Sequence, residues 1–334
     1  MGETNLKPIE YQLLADDKRG NMFEIPAASV KWKTERTGRA GSLEFTFAGG
    51  DKFSDKFFSL NCGDIVRLEV NGEIIFWGYV FSVENSDGES FTAAAYDQMR
   101  YLMYSDTYVF TGRTATEIIR QIAADFGVKC GEIEDTRYVI PKLAQDNRKL
   151  LDIISEALSE TVFNTGKTYA LYDKAGALTL KSLGSLRLNI ALGDYGMVSG
   201  YTYGESIDRE TYNRVKLIKD NGKEGSRDVY IYQDGASIAE WGLLQYYRSV
   251  DNALNAAMIE NMGKALLSLK NRAEKSFKLR AMGDVSCRAG ASVFIELSDV
   301  GVRQFYVIES AEHSFEGNDY VMDLTLKAVN DGAL

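Results

Sequence analysis

Residues 63–86, GDIVRLEVNGEIIFWGYVFSVENS, decide the fold of this protein. Apolar and polar residues alternate on both sides of Asn71-Gly72, which is the pattern of half-buried β-strands. Asn-Gly tolerates the positive φ angles of a two-residue hairpin turn. The stretch therefore predicts a β-hairpin with strands at 64–70 and 73–84.

Other short strands surround this hairpin. The same alternation predicts strands at 9–14, 29–35 and 43–47 before it, and at 90–96 after it. Several short strands in series, with no helical period, are typical of a small barrel or sandwich. We therefore assign residues 1–105 to a first β-barrel domain.

A similar hairpin pattern recurs near the C-terminus, at 290–314, GASVFIELSDVGVRQFYVIESAEHS. Chance similarity between two amphipathic hairpins is the alternative explanation, but the shared residues favour a duplicated barrel. The matched pairs are Gly63 with Gly290, Val66 with Val293, Leu68 with Ile295, Glu69 with Glu296, and Ser82-Val-Glu84-Asn-Ser86 with Ser310-Ala-Glu312-His-Ser314.

The middle of the chain changes to helical patterns. Thr114 and Glu117 form a capping box ahead of an apolar stripe, and Gly127 supplies a left-handed helix end. A second helix is predicted at 148–160, and a hairpin at 169–183 that turns at 174–176. These elements predict an α/β insert over residues 106–195. The expected inward residues are Ala115, Ile118, Ile119, Ile122, Ala123 and Phe126 in the first helix, and Leu151, Ile154, Ala157 and Leu158 in the second.

The last third returns to strands and contains one long helix. Strands are predicted at 197–206, 212–220, 227–234, 276–282, 292–297, 303–312 and 320–329. The helix is predicted at 251–272 with Asp251 as its N-cap, and its inward residues are Leu254, Met258, Met262, Ala265, Leu266 and Leu269. We assign residues 196–334 to a second β-barrel domain containing this helix.

The fold class that follows is α+β and mostly β. Two similar small antiparallel β-barrels flank an α/β insert, and one long helix lies in the C-terminal part.

Composition excludes several classes of function. The formal net charge is -10 and no basic run occurs, so a phosphate-binding surface is not expected. The three cysteines, Cys62, Cys130 and Cys287, are far apart, and each is predicted to be a buried free thiol. The N-terminus has no apolar signal segment and no run is long enough to span a bilayer, so we expect synthesis and folding in the cytoplasm and no membrane partner.

The sequence contains few residue patterns that are typical of catalytic or metal-binding sites. His313 is the only histidine, which leaves one position for a Ser-His-Asp or Cys-His base, and an ordinary strand-surface role is the favoured interpretation. Zinc would need several closely spaced Cys and His ligands. We therefore predict no catalytic, cofactor-binding or metal-binding residues and no cofactor.

Peptidoglycan cleavage by paired carboxylates is the enzymatic alternative. The candidate acids are Asp16, Asp17, Glu132, Glu134 and Asp135, which are more simply explained as solvated surface. A set of tyrosines could also form a sugar-stacking platform, although subunit contacts are favoured because Tyr is common at interfaces. These tyrosines are Tyr101, Tyr104, Tyr108, Tyr246 and Tyr247.

An ordered set of segments resembles the XkdQ/YqbQ-type tail proteins of Gram-positive prophages, which are similar to late-control gene D proteins and baseplate hub proteins. The resemblance covers nearly the whole chain. It is carried by NGEIIFWGYV (71–80), TATEIIRQIAADFGVKCGEI (114–133), YALYDKAGALTL (169–180), YNRVKLIKDNG (212–222), the run at 237–269 and GDVSCRAGASVFIEL (283–297).

The resemblance implies a structural subunit of the baseplate in a contractile phage tail or a phage-tail-like particle. It implies a homotrimer in which six barrels form a pseudo-hexameric ring, with the tail tube or a tube-initiator protein above, a spike protein below, and other baseplate components around it. DNA could pass through the lumen without specific binding. The chain ends soon after the second barrel, so no fused lysin domain is expected. The alternative is a cell-wall-binding or peptidoglycan-cleaving tail module.

Overall fold

The computed structural model describes residues 9–48, 59–86, 90–194, 196, 198–222 and 226–328. The N-terminal part consists of strands. They are β1 (Tyr11–Asp16), β2 (Met22–Glu24), β3 (Ala27–Glu35), β4 (Ser42–Ala48), β5 (Ile65–Val70), β6 (Glu73–Ser86) and β7 (Ser90–Tyr96). The predicted hairpin is confirmed: β5 pairs with β6 across Asn71 and Gly72, whose φ angles are 51° and 80°.

The middle part mixes helices and strands. It contains β8 (Ser105–Thr114), α1 (Ala115–Asp125), β9 (Cys130–Ile133), β10 (Val139–Lys149), α2 (Leu150–Thr165), β11 (Tyr169–Asp173) and β12 (Leu178–Ser182). The capping box is confirmed, since the Thr114 hydroxyl accepts a hydrogen bond from the Glu117 N–H while the Glu117 carboxylate accepts one from the Thr114 N–H. Both helices bury apolar faces in one core with the antiparallel pair of strands β8 and β10.

The C-terminal part contains nine strands and two helices among the described residues. They are β13 (Arg187–Gly193), β14 (Val198–Ser206), β15 (Arg214–Asp220), β16 (Arg227–Gln233), α3 (Gly235–Trp241), β17 (Gln245–Ser249), α4 (Ala256–Lys270), β18 (Glu274–Met282), β19 (Ser292–Leu297), β20 (Val302–Glu316) and β21 (Asp319–Ala328).

One 13-stranded sheet runs through both strand-rich parts of the chain. Its order is β14-β18-β21-β20-β3-β4-β7-β6-β5-β1-β2, with β19 beside β20 and β13 beside β19. The two parts join where β3 pairs antiparallel with β20 over seven residue pairs, from Ser29 opposite Glu316 to Glu35 opposite Ser310. We call this pairing the seam.

The sheet encloses two separate apolar cores, one on each side of the seam. Strands β1 and β3–β7 all contribute to the first core, which includes Leu13, Phe45, Leu68 and Phe76. Strands β13 and β18–β21 contribute to the second. A sheet whose successive strands all face one core must be strongly curved, as in a barrel. The predicted mostly-β fold with two similar barrel-like halves is confirmed.

The internal repeat is visible in the backbone. The Gly63 N–H donates to the Val80 carbonyl at 2.7 Å, and the Gly290 N–H donates to the Ile308 carbonyl at 2.8 Å. The two glycines have φ angles of 92° and 90°. A β-bulge follows at matching places, between Val80 and Ser82 and between Ile308 and Ser310. Matching bulges are backbone features that chance alternation would not produce, because they depend on specific inserted residues.

Residues 214–270 form a separate layer beside the large sheet. Strand β15 pairs with β16 on one side and with β17 on the other, and α4 packs on them. Strand β13 belongs to the large sheet, where it pairs parallel with β19. The division of the chain at 105/106 and 195/196 stays a prediction.

The predicted bounds of α4 and α2, and the predicted N-cap and buried face of α4, need correction. Helix α4 spans Ala256–Lys270 rather than 251–272, because the Asn255 side chain caps it, while Asp251 instead accepts a hydrogen bond from the Ala253 N–H in a preceding turn. Its buried face is Ile259, Met262, Gly263 and Leu266, and Met258 and Ala265 are exposed. Helix α2 begins after β10 ends at Lys149 and continues to Thr165.

We expect Gly290→Ala to destabilise the fold more than Gly63→Ala. Both glycines adopt a positive φ that is strained for alanine, which alone costs about 1–2 kcal/mol. A Cβ on Gly63 would meet open space, whereas a Cβ on Gly290 would lie 2.7 Å from the Ala170 Cβ. Urea unfolding measures the loss in free energy of unfolding for each variant. Gly200→Ala, with ordinary φ and open space, is the near-neutral control, and equal losses for the two repeat glycines would contradict the argument.

Candidate functional site

The face of the large sheet that turns away from both cores is polar. It spans eight neighbouring strands, from β14 through the seam to β6, whose outward positions alternate with buried ones. Small hydroxyl side chains are common there. They are Ser42, Thr46, Ser82, Thr92, Thr202, Ser276, Ser310, Ser314 and Thr325. We call this surface the polar sheet face.

Several charged side chains on the polar sheet face lie beside a side chain of opposite charge. Lys33 approaches Glu35 at 3.3 Å and lies opposite Glu312 across the seam. Lys31 lies opposite Glu44 in the neighbouring strand. Further ion pairs join Arg280 to Asp323 at 3.9 Å and Lys327 to Glu274 at 2.5 Å. Exposed pairs like these contribute little stability individually, but they leave the surface without a basic patch that would hold phosphates.

A buried charge cluster joins the three parts of the chain. Asp97 follows β7, Asp173 ends β11, and Arg288 precedes β19. The Asp97 carboxylate accepts hydrogen bonds from the Gly41 and Met99 N–H groups at 2.8 and 2.9 Å. The Asp173 carboxylate accepts from the Gly176 N–H at 2.7 Å and from the Gln98 amide at 2.9 Å.

Burial raises the pKa of Asp97 well above its ordinary value, and the neighbouring Asp173 charge raises it further. Burial likewise raises the pKa of Asp173. Arg288 opposes both shifts through its positive charge, while burial lowers its own pKa. Its guanidinium lies 4.0 Å above the Tyr172 ring, a cation–π contact. The cluster is thus two buried acids and one buried cation, whose positive charge acts on both carboxylates.

Neighbouring contacts tie the same junction to the seam. The Ala289 N–H donates to the Thr34 hydroxyl on β3 at 2.9 Å. Gln98 also bonds the Lys129 backbone through both ends of its amide. The first barrel-like half, the insert and the second half therefore meet within a few residues.

Sequence reasoning missed this cluster. Asp97 carries one local signal, because its side chain caps a short 3-10 turn that begins at Gln98. The approach of Asp173 and Arg288 has no local signal, since it depends on the fold. The two carboxylates are the closest structural match to a paired-acid site, but each residue is only 6% exposed and engaged by backbone N–H groups.

His313 is not the strand-surface residue that the sequence suggested; it is fully buried under the seam. Its ring stacks on Trp32, directly opposite on β3, with centroids 4.8 Å apart. Nε2 lies 3.1 Å from the Cys287 carbonyl, so Nε2 carries the proton, and Nδ1 accepts from the Tyr320 hydroxyl at 2.9 Å. Burial lowers its pKa to about 4. The neutral ring therefore has a packing and bridging role.

The acidic candidates serve turns and ion pairs. Asp16 and Asp17 accept hydrogen bonds from backbone N–H groups of the turn that follows them. Glu132 forms an ion pair with Lys181, Glu134 accepts from the Ser182 N–H, and Asp135 accepts from the Arg137 N–H. The structure does not bring them together as a paired-acid site.

The candidate tyrosines lie in two regions rather than on one platform. Tyr104 and Tyr247 are about half exposed, at 51% and 54%. The other three pack inward: Tyr101 meets Tyr79 edge-on, Tyr108 stacks on Phe110 and donates to Asp125, and Tyr246 meets Tyr212 edge-on.

The cysteine prediction is right for one residue of three. Cys287 is buried, and burial raises the pKa of its thiol to about 12. Cys62 and Cys130 are exposed, because each lies at the open end of a short turn or strand rather than on a core-facing position. Among the described residues, no group of three or more His, Cys, Asp or Glu side chains could hold a metal ion. No helix in the described ranges has the length and apolarity to cross a membrane.

Comparisons with known proteins agree on family and fold. The YQBQ-like family model matches residues 30–327. The Bacillus subtilis protein YqbQ is 31% identical over 277 residues, covering 82% of this chain and 84% of that protein. The phage-like element PBSX protein XkdQ of B. subtilis is 29% identical over 312 residues, covering 92% and 94%.

Solved structures share the fold at low sequence identity. The 43 kDa tail protein of prophage MuSo2 from Shewanella oneidensis aligns with a TM-score of 0.71 at 13% identity, covering 97% of this chain and all of that one. A component of the type VI secretion system of E. coli, described as structurally similar to the T4 tail proteins gp27 and gp5, aligns with a TM-score of 0.59 at 10% identity, covering 97% and 78%. The chain thus has a phage tail protein fold.

Acidification should destabilise the fold through His313. Its folded pKa of about 4 lies below the ordinary 6.5, so the unfolded chain takes up the proton first. The stability is fully present above about pH 6.5 and is lost as the pH falls towards 4, by about 3 kcal/mol in total. Urea unfolding of wild type and His313→Gln across this range should show a flatter pH dependence in the variant.

The same residue offers a direct readout by NMR. Because His313 is the only histidine, its imidazole resonance needs no assignment and should titrate near pH 4 in the folded protein. A titration midpoint near 6.5 with the fold intact would show that the ring is solvated and the stability argument wrong.

Arg288→Met should destabilise more at pH 8 than at pH 5. Without the cation, ionised Asp97 and Asp173 are left facing each other, and breaking such a buried arrangement costs about 3 kcal/mol. Protonation at lower pH removes part of that penalty. Arg280→Met, on the exposed sheet face, is the matched control and should be nearly neutral at both pH values. If the stability lost in the Arg288→Met variant does not change with pH, an electrostatic role for Arg288 would be contradicted.

Proposed function

The chain belongs to the YQBQ-like family, and from that membership we propose that it is the structural hub subunit of a phage-type baseplate. In this proposal the particle is a contractile prophage tail or a headless tail-like particle. Three copies form a ring that joins the tail tube, or a tube-initiator protein, to a central spike. The assembly takes place in the host cytoplasm and involves other baseplate components.

The observation that carries the proposal is the continuous sheet joining two similar halves. Three copies of such a chain present six similar curved sheets, which allows closed three-fold symmetry with a nearly six-fold surface. A six-fold tube and a three-fold spike need a connector of that kind. Among structures with this fold is a Francisella complex of PdpA with VgrG, which has a TM-score of 0.59 at 10% identity and covers 99% of this chain and 60% of that chain.

The polar sheet face is the surface we propose for the channel wall. Its hydroxyl side chains and matched charges would let a polymer pass without strong binding. The overall charge of -10 adds a weak repulsion of DNA phosphates. A lumen without a basic patch is what a conduit requires, because tight phosphate contacts would arrest the passing strand.

The same arrangement supports the proposal of a non-enzymatic role. A wall-cleaving enzyme would need two accessible carboxylates flanking the sugar, one of them protonated. Asp97 and Asp173 have raised pKa values but are enclosed at the junction, and their oxygens are used by structural hydrogen bonds. Wall binding or cleavage remains the alternative function, and activity of the purified chain on isolated cell walls would support it.

The copy number of this chain in purified particles tests the proposal. Cryo-EM of the tail tip should show three copies in a pseudo-six-fold ring, because only that number pairs six similar halves with a three-fold axis. Quantitative mass spectrometry against the spike protein should give equal subunit numbers. Absence from particles, or copies away from the tip, would contradict the hub role and favour the cell-wall alternative.

A further inference from the structure

The three-stranded sheet of the layer at residues 214–270 has one face covered by α4. There, Val215 and Leu217 of β15 pack with Ile259 and Leu266 of the helix. Successive residues of a strand point to opposite faces, so the intervening positions of the three strands form the second face. We call it the outer layer face. It consists of Arg214, Lys216, Ile218 and Asp220 of β15, Arg227, Val229, Ile231 and Gln233 of β16, and Gln245, Tyr247 and Ser249 of β17.

The middle of the outer layer face is apolar and exposed. The register places Ile231 and Tyr247 on either side of Lys216, and Val229 beside Ile218. Val229, Ile231 and Tyr247 are each about half exposed. Directly opposite residues lie about 5 Å apart, so these side chains and the aliphatic stem of Lys216 form one patch. An exposed apolar patch with a polar rim is typical of a surface that contacts another molecule.

The charges on the outer layer face are mostly positive, although the chain as a whole carries -10. The Lys216 ammonium lies 5.8 Å from the centre of the Tyr247 ring, and Arg214 donates to a glutamine side chain of β16 at 2.9 Å. No acidic residue lies opposite either cation in β16 or β17. The acid on this face, Asp220, lies opposite Arg227 at the far end. Arg214 and Lys216 are therefore cations without a matching acid in the paired strands.

The size of the outer layer face limits what can cover it. Three strands about 4.8 Å apart are about 10 Å across, and the seven residues of β15 extend over about 20 Å. A helix with its side chains is about 10 Å wide, and about 13 residues of helix are 20 Å long. One helix therefore matches the face, and α4, with 15 residues, already covers the opposite face of the same sheet in this way.

We propose that an acidic amphipathic helix of another baseplate protein docks on the outer layer face. Its apolar stripe contacts Val229, Ile231 and Tyr247, and its Asp or Glu side chains pair with Arg214 and Lys216. Acids are required because a purely apolar helix would bury two cations without partners. The same face of a second copy does not supply them, because it would bring like charges together. The inference rests on the proposed baseplate role and names a partner class for it.

The topology and chemistry of the layer favour a protein partner outside the channel. The chain leaves the large sheet after Ser206 and returns to it at Glu274, and these two residues pair with each other. The outer layer face therefore belongs to other strands than the polar sheet face, which is the surface proposed for the channel wall. A nucleic acid would use the two cations but not the aliphatic side chains, because phosphate contacts depend on charge.

Photo-crosslinking in purified particles tests the partner. Tyr247 is replaced by the photoreactive amino acid p-benzoylphenylalanine, which keeps an aromatic ring on the face. Irradiation should join this chain to one other particle protein. Mass spectrometry should place the bond in a segment whose apolar residues recur every three or four positions beside Asp or Glu. The same replacement at Met258, a similarly exposed residue of α4, is the control and should give no adduct with that segment.

Charge reversal tests the chemistry of the contact. Arg214→Glu with Lys216→Glu should lower the crosslinking yield at Tyr247 by about tenfold or more, because the acidic helix then meets like charges. Ile231→Glu should lower it through the apolar patch. Lys167→Glu, which changes an exposed cation after α2, is the matched control and should leave the yield unchanged. Replacing an acid of the crosslinked segment by lysine should restore the yield in the double variant, which a general loss of stability would not allow.

The outcomes separate this inference from the hub role. An adduct with another copy of this chain, with nucleic acid or with a segment that lacks acidic residues would overturn the proposed partner, as would a yield that charge reversal leaves unchanged. Particles with three copies at the tip and no adduct at Tyr247 would overturn the docking and leave the hub intact. Particles without a three-copy ring would overturn the hub role, and this inference with it, because its partner is a baseplate protein.

Discussion

The pairing of β3 with β20 is the interaction on which the rest of the structure depends. Seven residue pairs turn two curved sheets, far apart in sequence, into one hydrogen-bonded sheet. The side chains beneath it fit that arrangement: Trp32 and His313 lie opposite each other and stack. A neutral imidazole serves there because it can accept from a hydroxyl on one side and donate to a carbonyl on the other without burying a charge.

The buried charge cluster reinforces the same junction from the side of the insert. Two desolvated acids beside one another are costly, and the structure offsets that cost with backbone N–H donors and with Arg288. An apolar cluster could give comparable stability. A polar cluster is more selective, because its hydrogen bonds need the first half and the insert in one geometry, and its charge balance needs Arg288 from the second half.

The polar sheet face follows from the enclosed cores. Each strand directs alternate side chains to a core, so the remaining side chains must form the opposite surface. Short hydroxyl side chains and paired opposite charges hydrate that surface without giving it a strong binding site for a polymer. In the proposed assembly this surface is the wall of the channel, so the fold and the channel are linked.

The sequence by itself determined the elements whose patterns are local. The Asn71-Gly72 hairpin, the Thr114 capping box and most strands were predicted, because alternation, turn residues and caps act over a few positions. The internal repeat was also detected in the sequence, where Gly63 matches Gly290. The β8–β10 strand pair was missed because most of its residues are exposed, so buried and exposed positions do not alternate along it. Helix α4 was misplaced because two polar residues, Asp251 and Asn255, compete to start it.

Only the tertiary structure decided what happens between distant segments. The seam, the burial of His313 and the meeting of Asp97, Asp173 and Arg288 each join residues separated by tens to hundreds of positions. No local pattern encodes such contacts, since a strand's alternation says which face is apolar and not which strand will lie beside it. The physical reason is that edge pairing uses the backbone, which is the same in every residue, so the partner is selected by the fold as a whole.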